Sequence, residues 1–279
     1  MKVSVIIPTY NEETVIKICL DSLLKQSIKD FEIIVVDDGS TDKTKEIIPE
    51  IKNNQIKIYS QNHKGPGAAR NRGVENAKGE ILVFIDADME FDKDFLMKLI
   101  EPIGKNKIVG TFSKEEYLLN KENDWARFWN VNLGRNPEKM HQDNYPDTQP
   151  VFRAILKSEF DRAGGFDTRI GYTDDWSLSR KLGVEAFSAP GAIFYHKNPE
   201  NLKEVWSQAR WFGKNEFLTG SFIRKIYNLL RYDPIFAILK GVYGSLKVKD
   251  FRYLIFKIVY DSAVSTSVLL SFFGEQKYK

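Results

Sequence analysis

Ile81-Leu82-Val83-Phe84-Ile85-Asp86-Ala87-Asp88 places five apolar residues in a row directly ahead of two carboxylates one residue apart. The run does not alternate with polar residues, so both its faces must be covered, as in the strands of a parallel sheet. Runs of the same kind recur upstream at residues 3–7, 32–36 and 56–59. Between them the apolar residues change to helical spacing. Ile16, Cys19, Leu20 and Leu23 fall at i, i+3, i+4 and i+7 of a helix predicted over residues 12–26, with Asn11 as its N-cap. Further helices are expected over 41–52, from Gly65-Pro66-Gly67 to about residue 78, and over 92–100. Alternating strands and helices predict an α/β fold with a mostly parallel sheet flanked by helices.

The polar residues follow the strands. Pro8-Thr9-Tyr10-Asn11-Glu12, Asp37-Asp38-Gly39-Ser40 and Asp86-Ala87-Asp88 each stand just past the carboxyl end of a predicted strand. Open α/β sheets bind ligands along that edge, so the three clusters are expected to converge. Asp86 and Asp88 form a hard-oxygen pair suited to Mg²⁺ or Mn²⁺ shared with substrate phosphates. The bland alternative is a cap and a turn ahead of the next helix. Asp37 and Asp38 can accept from a base or ribose, or simply shape a tight turn.

Gly65-Pro66-Gly67-Ala68-Ala69-Arg70 opens a helix, but Arg70 stands where a dinucleotide-binding fingerprint needs its third glycine. The stretch therefore reads as a helix start that presents Arg70 to an anion, or as a solvated arginine. Asp174 and Asp175 open a predicted helix over 175–182, either as dipole partners or as a general base. His196 follows a strand predicted over 192–195, another being expected over 154–157. It can ligate a metal, donate to a phosphate or serve packing. Residues 104–150 lose the alternation, and a helix returns over 202–215.

The single cysteine, Cys19, excludes an intramolecular disulfide or a cysteine zinc cage and favours a reducing compartment. No secretory leader is expected, because Met1-Lys2 runs straight into a strand. Residues 221–279 carry ten Lys/Arg against four Asp/Glu, while the whole chain is only +3, so the rest is net acidic. A basic, aromatic-rich tail predicts contact with an anionic membrane, and nothing in it matches a nucleic-acid-binding module. Its charge-free stretch, 262–274, is shorter than the ~20 residues a spanning helix needs, which predicts interfacial helices or a surface packed on the body.

In order and spacing these segments resemble the family 2 glycosyltransferases. The resemblance runs from Val5-Ile6-Ile7-Pro8-Thr9-Tyr10-Asn11-Glu12 through Val36-Asp37-Asp38-Gly39-Ser40-Thr41-Asp42, Gly67 to Gly73 and Phe84-Ile85-Asp86-Ala87-Asp88. It continues through Gly164-Gly165-Phe166-Asp167 to Thr173-Asp174-Asp175-Trp176-Ser177-Leu178, covering about residues 3–215. It implies a GT-A fold with inverting chemistry over residues 1–220 and an appended helical tail over 221–279. Pro8, Thr9, Tyr10 and Glu12 would line the nucleotide, Asp37 and Asp38 would hold the base, and Arg70 would lie near the diphosphate. Asp86, Ala87 and Asp88 would position donor and metal, with His196 a further metal ligand. Asp175 matches the catalytic base, and Asp174 stands where the family usually has Glu.

Ser207-Gln208-Ala209-Arg210-Trp211 departs from the Gln-x-x-Arg-Trp of processive synthases by one place, which argues for single-sugar transfer, with Arg210 and Trp211 closing over the diphosphate. The implied partners are a nucleotide-sugar donor and a lipid-linked or glycan acceptor, at the cytoplasmic face of the cell membrane. The rivals are a nucleotidyltransferase that makes a nucleotide sugar, and a non-catalytic sugar- or membrane-binding module.

Overall fold

The computed structural model of the chain describes residues 2–106, 108–142, 144–168, 175–218 and 221–273. Two compact units are present: Met1–Tyr117 with Asp143–His196, and Leu118–Gln142 with Lys197–Lys279. The tail expected to begin at residue 221 thus belongs with 118–142 and 197–218 rather than standing apart.

The first unit is α/β. The predicted alternation appears as β1 (Val3–Thr9), α1 (Ile16–Leu24), β2 (Phe31–Asp37), α2 (Thr44–Glu50), β3 (Ile56–Ser60), α3 (Pro66–Glu75) and β4 (Ile81–Phe84). Then come β5 (Met89–Phe91), α4 (Phe95–Asn106), β6 (Gly110–Phe112) and β7 (Glu116–Leu118). Helix α5 (Asp124–Asn132) belongs to the second unit. The first unit resumes with β8 (Thr148–Gln149), β9 (Ala154–Leu156), α6 (Lys157–Ala163), α7 (Ser177–Leu182), β10 (Ala186–Ser188) and β11 (Phe194–His196).

The main sheet has eight strands in the order β3-β2-β1-β4-β9-β6-β10-β8, and β5-β11-β7 form a second sheet. Strand β1 pairs in parallel with β2, Thr9 opposite Asp37, and with β4, Ile6 opposite Phe84. Residues 8–12, 37–42 and 85–88 therefore leave the sheet along one edge. Apolar side chains alternate between the faces of these strands. Val3, Val5 and Ile7 pack with Leu20, Leu23, Phe95 and Leu99, whereas Ile6, Ile34 and Leu82 pack with Ala69, Val74 and Phe160. Each such side chain removed from water contributes roughly 1.5–3 kcal/mol, which is why the strands read as unbroken apolar runs.

One capping expectation fails. Helix α1 starts at Ile16, and Asn11 does not cap it. Asn11 adopts a left-handed φ of 58°, and its side-chain oxygen accepts from the Thr41 N–H at 2.8 Å. Its oxygen is spent across the sheet edge, so it does not reach the first N–H groups of α1. Residues 104–150 also hold more order than their pattern suggests. Strands β6 and β7 are too short to show a period, and α5 is capped by Asn123, whose Oδ1 accepts from the N–H groups of Trp125 and Ala126.

The second unit is helical, with α5, α8 (Leu202–Leu218), α9 (Phe222–Arg231), α10 (Pro234–Val248) and α11 (Arg252–Leu270). Phe128, Trp129, Val205, Phe256 and Tyr260 form its core. Asp261, fully buried on α11, is held by Lys257 at 2.8 Å and Lys240 at 3.1 Å. Among the described residues α11 alone is long and apolar enough to cross a membrane, and 56% of its apolar window is buried within the fold.

Candidate active site

At the carboxyl edge of the sheet the loops after β1 and β2 are laced together. Ser40 Oγ accepts from the Asn11 N–H at 3.0 Å, Thr44 Oγ1 from the Glu12 N–H at 2.8 Å, and Asp42 from the Glu13 N–H at 3.1 Å. Thr9, buried, donates to the Val36 carbonyl at 3.5 Å. Pro8 lies in β1 opposite Val36. These contacts hold Pro8, Thr9, Tyr10 and Glu12 beside the β2 loop.

Asp37 and Asp38 are almost sealed from water, 1% and 2% exposed. Asp37 accepts from the N–H groups of Gly39 at 3.3 Å and Ser40 at 3.2 Å, with the Lys45 ammonium 3.5 Å away. Asp38 accepts from the N–H groups of Lys64 and Gly65, each at 2.8 Å, and from Gln61 Nε2 at 2.7 Å. His63 Nδ1 lies 2.9 Å from Asp38 Oδ2, the oxygen that also accepts from Gly65. Asp38 thus ties residues 61–65 to β2 and sets where α3 begins. Tyr10 stacks on His63 with ring centroids 4.2 Å apart, giving a flat aromatic pair beside these carboxylates.

Helix α3 carries Arg70, 5% exposed, into the next cluster. One terminal nitrogen donates to Asp86 Oδ1 at 2.8 Å and the other to Asp175 Oδ1, and the guanidinium lies over the Phe166 ring. Arg153, just ahead of β9, donates to Asp86 Oδ2 at 3.0 Å. Both Asp86 oxygens are therefore taken. Burial alone would raise the Asp86 carboxyl, but Arg153 and Arg70 override it and hold that carboxyl well below the usual carboxylate range.

Asp88, two residues on, has different surroundings. Its Oδ2 meets His196 Nε2 at 2.9 Å, and His196 Nδ1 meets Glu116 Oε1 at 2.9 Å. Burial by itself would lower the imidazole, yet Asp88 and Glu116 reverse this and raise it well above its ordinary value. Asp88 Oδ1 is buried and has no hydrogen-bond partner among the described residues. A bare buried carboxylate oxygen is costly unless something else neutralises it. The neighbouring Cys19 thiol, which donates to the Asp86 carbonyl at 3.8 Å, registers the same field. Burial pushes it well above its ordinary value, and Asp88, Asp86 and Glu12 push it the same way.

Among the described residues no three His, Cys, Asp or Glu side chains are grouped so as to cage a cation. A hard divalent ion does not require that. Mg²⁺ is commonly held by one or two carboxylates, with substrate phosphates and water filling the other positions. The orphaned Asp88 Oδ1 fits such an ion.

The structure thus brings Pro8, Thr9, Tyr10, Glu12, Asp37, Asp38, Arg70, Asp86, Ala87, Asp88, Asp175 and His196 into the first unit, with direct contacts linking Arg70, Asp86 and Asp175, and linking Asp88 and His196. Asp174 lies outside the described residues. Arg210 and Trp211 are on α8 in the second unit, where the Arg210 carbonyl accepts from the Ser267 hydroxyl at 2.8 Å. Arg153 and Glu116 were not foreseen. Arg153 is a lone basic residue before a three-residue strand, and Glu116 falls in the stretch without visible pattern.

Residues 4–163, more than half of the chain, match the family model described as glycosyl transferase family 2. The chain is 39% identical over 104 residues to the putative glycosyltransferase EpsH of Bacillus subtilis, covering 37% of this chain and 30% of that one. It is 30% identical over 223 residues to the uncharacterized glycosyltransferase EpsJ of the same organism, covering 73% of this chain and 63% of that one. The chain thus spans less than two thirds of the length of these curated relatives. Staphylococcus aureus TarS 1–349, solved in complex with UDP, superposes with a TM-score of 0.56 at 20% identity, covering 100% of this chain and 93% of that one. The mannosyltransferase PcManGT of Pyrobaculum calidifontis, solved with GDP-Man and Mn²⁺, gives 0.57 at 19% identity, covering 97% and 73%. At such identities the likeness shows the fold, a GT-A arrangement.

Proposed function

The chain belongs to the family 2 glycosyltransferases, and from that premise we propose that it transfers a single sugar from a nucleoside-diphosphate donor to a hydroxyl or lipid-phosphate acceptor, with inversion at the anomeric carbon. The observation that carries this reading is the asymmetry at the carboxyl edge: Asp86 saturated by two arginines, Asp88 left with one bare buried oxygen.

The Tyr10–His63 pair offers a stacking face for a nucleobase, with Pro8, Thr9 and Glu12 alongside. Asp37 and Asp38 hold the loops that shape this face, and a base edge would meet backbone groups that they position. Arg70, buried, and Arg153, partly exposed, supply two guanidiniums for the diphosphate. A Mg²⁺ or Mn²⁺ ion held by Asp88, with His196 and Asp86 beside it, would neutralise charge on the departing nucleoside diphosphate. Asp175, oriented by Arg70, accepts the proton of a hydroxyl acceptor, with Asp174 as its neighbour in sequence. TarS was solved with UDP and PcManGT with GDP-Man, so UDP- and GDP-sugars are the donors to try first.

The test is a thermal-shift screen of UDP-, GDP- and dTDP-sugars with Mn²⁺. A donor at a hundred times its Kd stabilises the folded state by about 2.7 kcal/mol, which moves the melting temperature by several degrees. One nucleotide class is expected to shift the parent. No shift with any of them contradicts the donor reading.

A further inference from the structure

Helices α9 and α10 wear their large apolar side chains on the outside. On α10 the inward side is small: Ala237, Gly241, Gly244 and Ser245 are buried. A Cβ added at Gly241 would sit 2.6 Å from Leu254, and one at Gly244 would sit 2.2 Å from the Tyr253 ring, so α10 lies close on α11 through its small residues. Its opposite side presents Ile235, Leu239, Tyr243 and Leu246, 74%, 65%, 73% and 75% exposed. Helix α9 repeats the arrangement. Asn228 is buried, while Phe222, Ile223, Tyr227 and Leu230 are each at least 60% exposed. By helical spacing each set forms one stripe. This reverses the ordinary amphipathic helix, which turns its apolar stripe to the core.

We propose that the outward faces of α9 and α10 bed together into the headgroup–acyl boundary of an anionic bilayer, lying in its plane. The two helices run ten and fifteen residues, both short of the ~20 needed to span. The helix of spanning length, α11, keeps buried Asp261 between Lys240 and Lys257 and serves as the inner support. Exposed Arg224 and Arg231 flank the α9 stripe, and Lys247 flanks that of α10. Tyr227 and Tyr243 have the amphipathic rings that settle at headgroup level.

Charge selects the occupant. Arg224, Arg231, Lys247 and Lys249 are exposed on or next to α9 and α10, whereas Lys240 and Lys257 are spent on buried Asp261. Two copies of the chain meeting through these stripes would bring their basic flanks together, whereas anionic headgroups neutralise them, at about 1 kcal/mol per basic residue near the surface. The surface belongs wholly to the second unit, and its test reads binding rather than turnover, so it stands or falls separately from the transfer chemistry.

The experiment is flotation of the full chain with phosphatidylcholine vesicles, with and without phosphatidylglycerol. The chain is expected to float with the anionic vesicles and to be released by added salt. Leu239→Glu should lower partitioning more than about tenfold with an unchanged far-ultraviolet circular dichroism spectrum and melting temperature. Leu246→Glu, further along the same face, should do the same and serves as the test should Leu239→Glu misfold. Arg224→Glu combined with Lys247→Glu should weaken binding to anionic vesicles and leave binding to neutral ones unchanged. Absence of flotation, undiminished flotation of both Leu variants, or a discrete dimer that Leu239→Glu disrupts in the absence of lipid would each overturn the proposal.

Discussion

Asp86 and Asp88 differ by two positions, yet one carboxylate is closed by arginines and the other keeps a bare oxygen. Spacing marks both as acidic residues past a strand and cannot separate their roles. The separation comes from Arg153, Glu116 and His196, which are distant in sequence and reach the site only through β7, β9 and β11. Asp175 is a second residue whose role depends on context. If the acceptor is a sugar hydroxyl, Asp175→Asn should lower kcat by about 10²–10⁴, because a proton must be taken in the transition state. If the acceptor is a lipid phosphate, already ionised, the same change should be mild, and comparing the two acceptor types with this variant distinguishes them.

Glu32 carries a residue-scale prediction about the fold itself. Its Oε1 accepts from the Ser4 hydroxyl and the Lys78 N–H, both at 2.7 Å, and Lys57 donates to Oε2 at 2.6 Å. Burial raises this carboxyl, but Lys57 and Ser4 outweigh it and the net shift is downward. A carboxyl lowered in the folded state stabilises above its unfolded value, about 4.3, and that stability is lost as the pH falls through the folded value. Glu32→Gln is expected to cost about 1–3 kcal/mol at neutral pH, with the difference from the parent shrinking below about pH 4, measured by urea denaturation across pH.

At the scale of elements, what was legible was a repeating helical spacing or an apolar run standing clear of its neighbours, as in the short strands β9 and β11. Helix α1 was visible because its apolar spacing repeats over two turns, and β1 and β2 because their apolar runs are unbroken and buried on both faces. The three-residue strands β6 and β7 were not, and the start of α1 was misplaced because Asn11 bonds across to Thr41 rather than to its own helix. Helix α3 was readable at its start, where Gly65, at a φ of 94°, precedes Pro66 at the first turn. Its closeness to the sheet was not. A Cβ added at Gly73 would lie 2.5 Å from Ile6 Cγ2, in the contact that seats α3 on β1. Gly73→Ala should therefore destabilise the chain by about 1–3 kcal/mol, read as a lower melting temperature. Because Arg70 rides on the same helix, the variant should also bind donor more weakly.

At the scale of the molecule, the division into two units could not be read along the chain. Residues 118–142 leave the first unit and join the helices after residue 197, and the chain then resumes the first unit, reaching its sheet again at β8. Only three-dimensional packing, through Phe128 and Trp129 against Phe256 and Tyr260, reveals that membership. The tail's basic, apolar composition was legible, but which side chains face outward was not. The catalytic account rests on Asp88 as the residue that receives a cation at the carboxyl edge of the sheet. Its most direct test is the release of nucleoside diphosphate from a UDP- or GDP-sugar in the presence of Mn²⁺, with parent and Asp88→Asn assayed side by side. Turnover by the parent is expected with one donor class, and Asp88→Asn should lose about 10²–10³ in kcat while binding that donor within a few-fold of the parent. Near-normal turnover by Asp88→Asn, or pyrophosphate released from a nucleoside triphosphate in place of diphosphate from the donor, would contradict it.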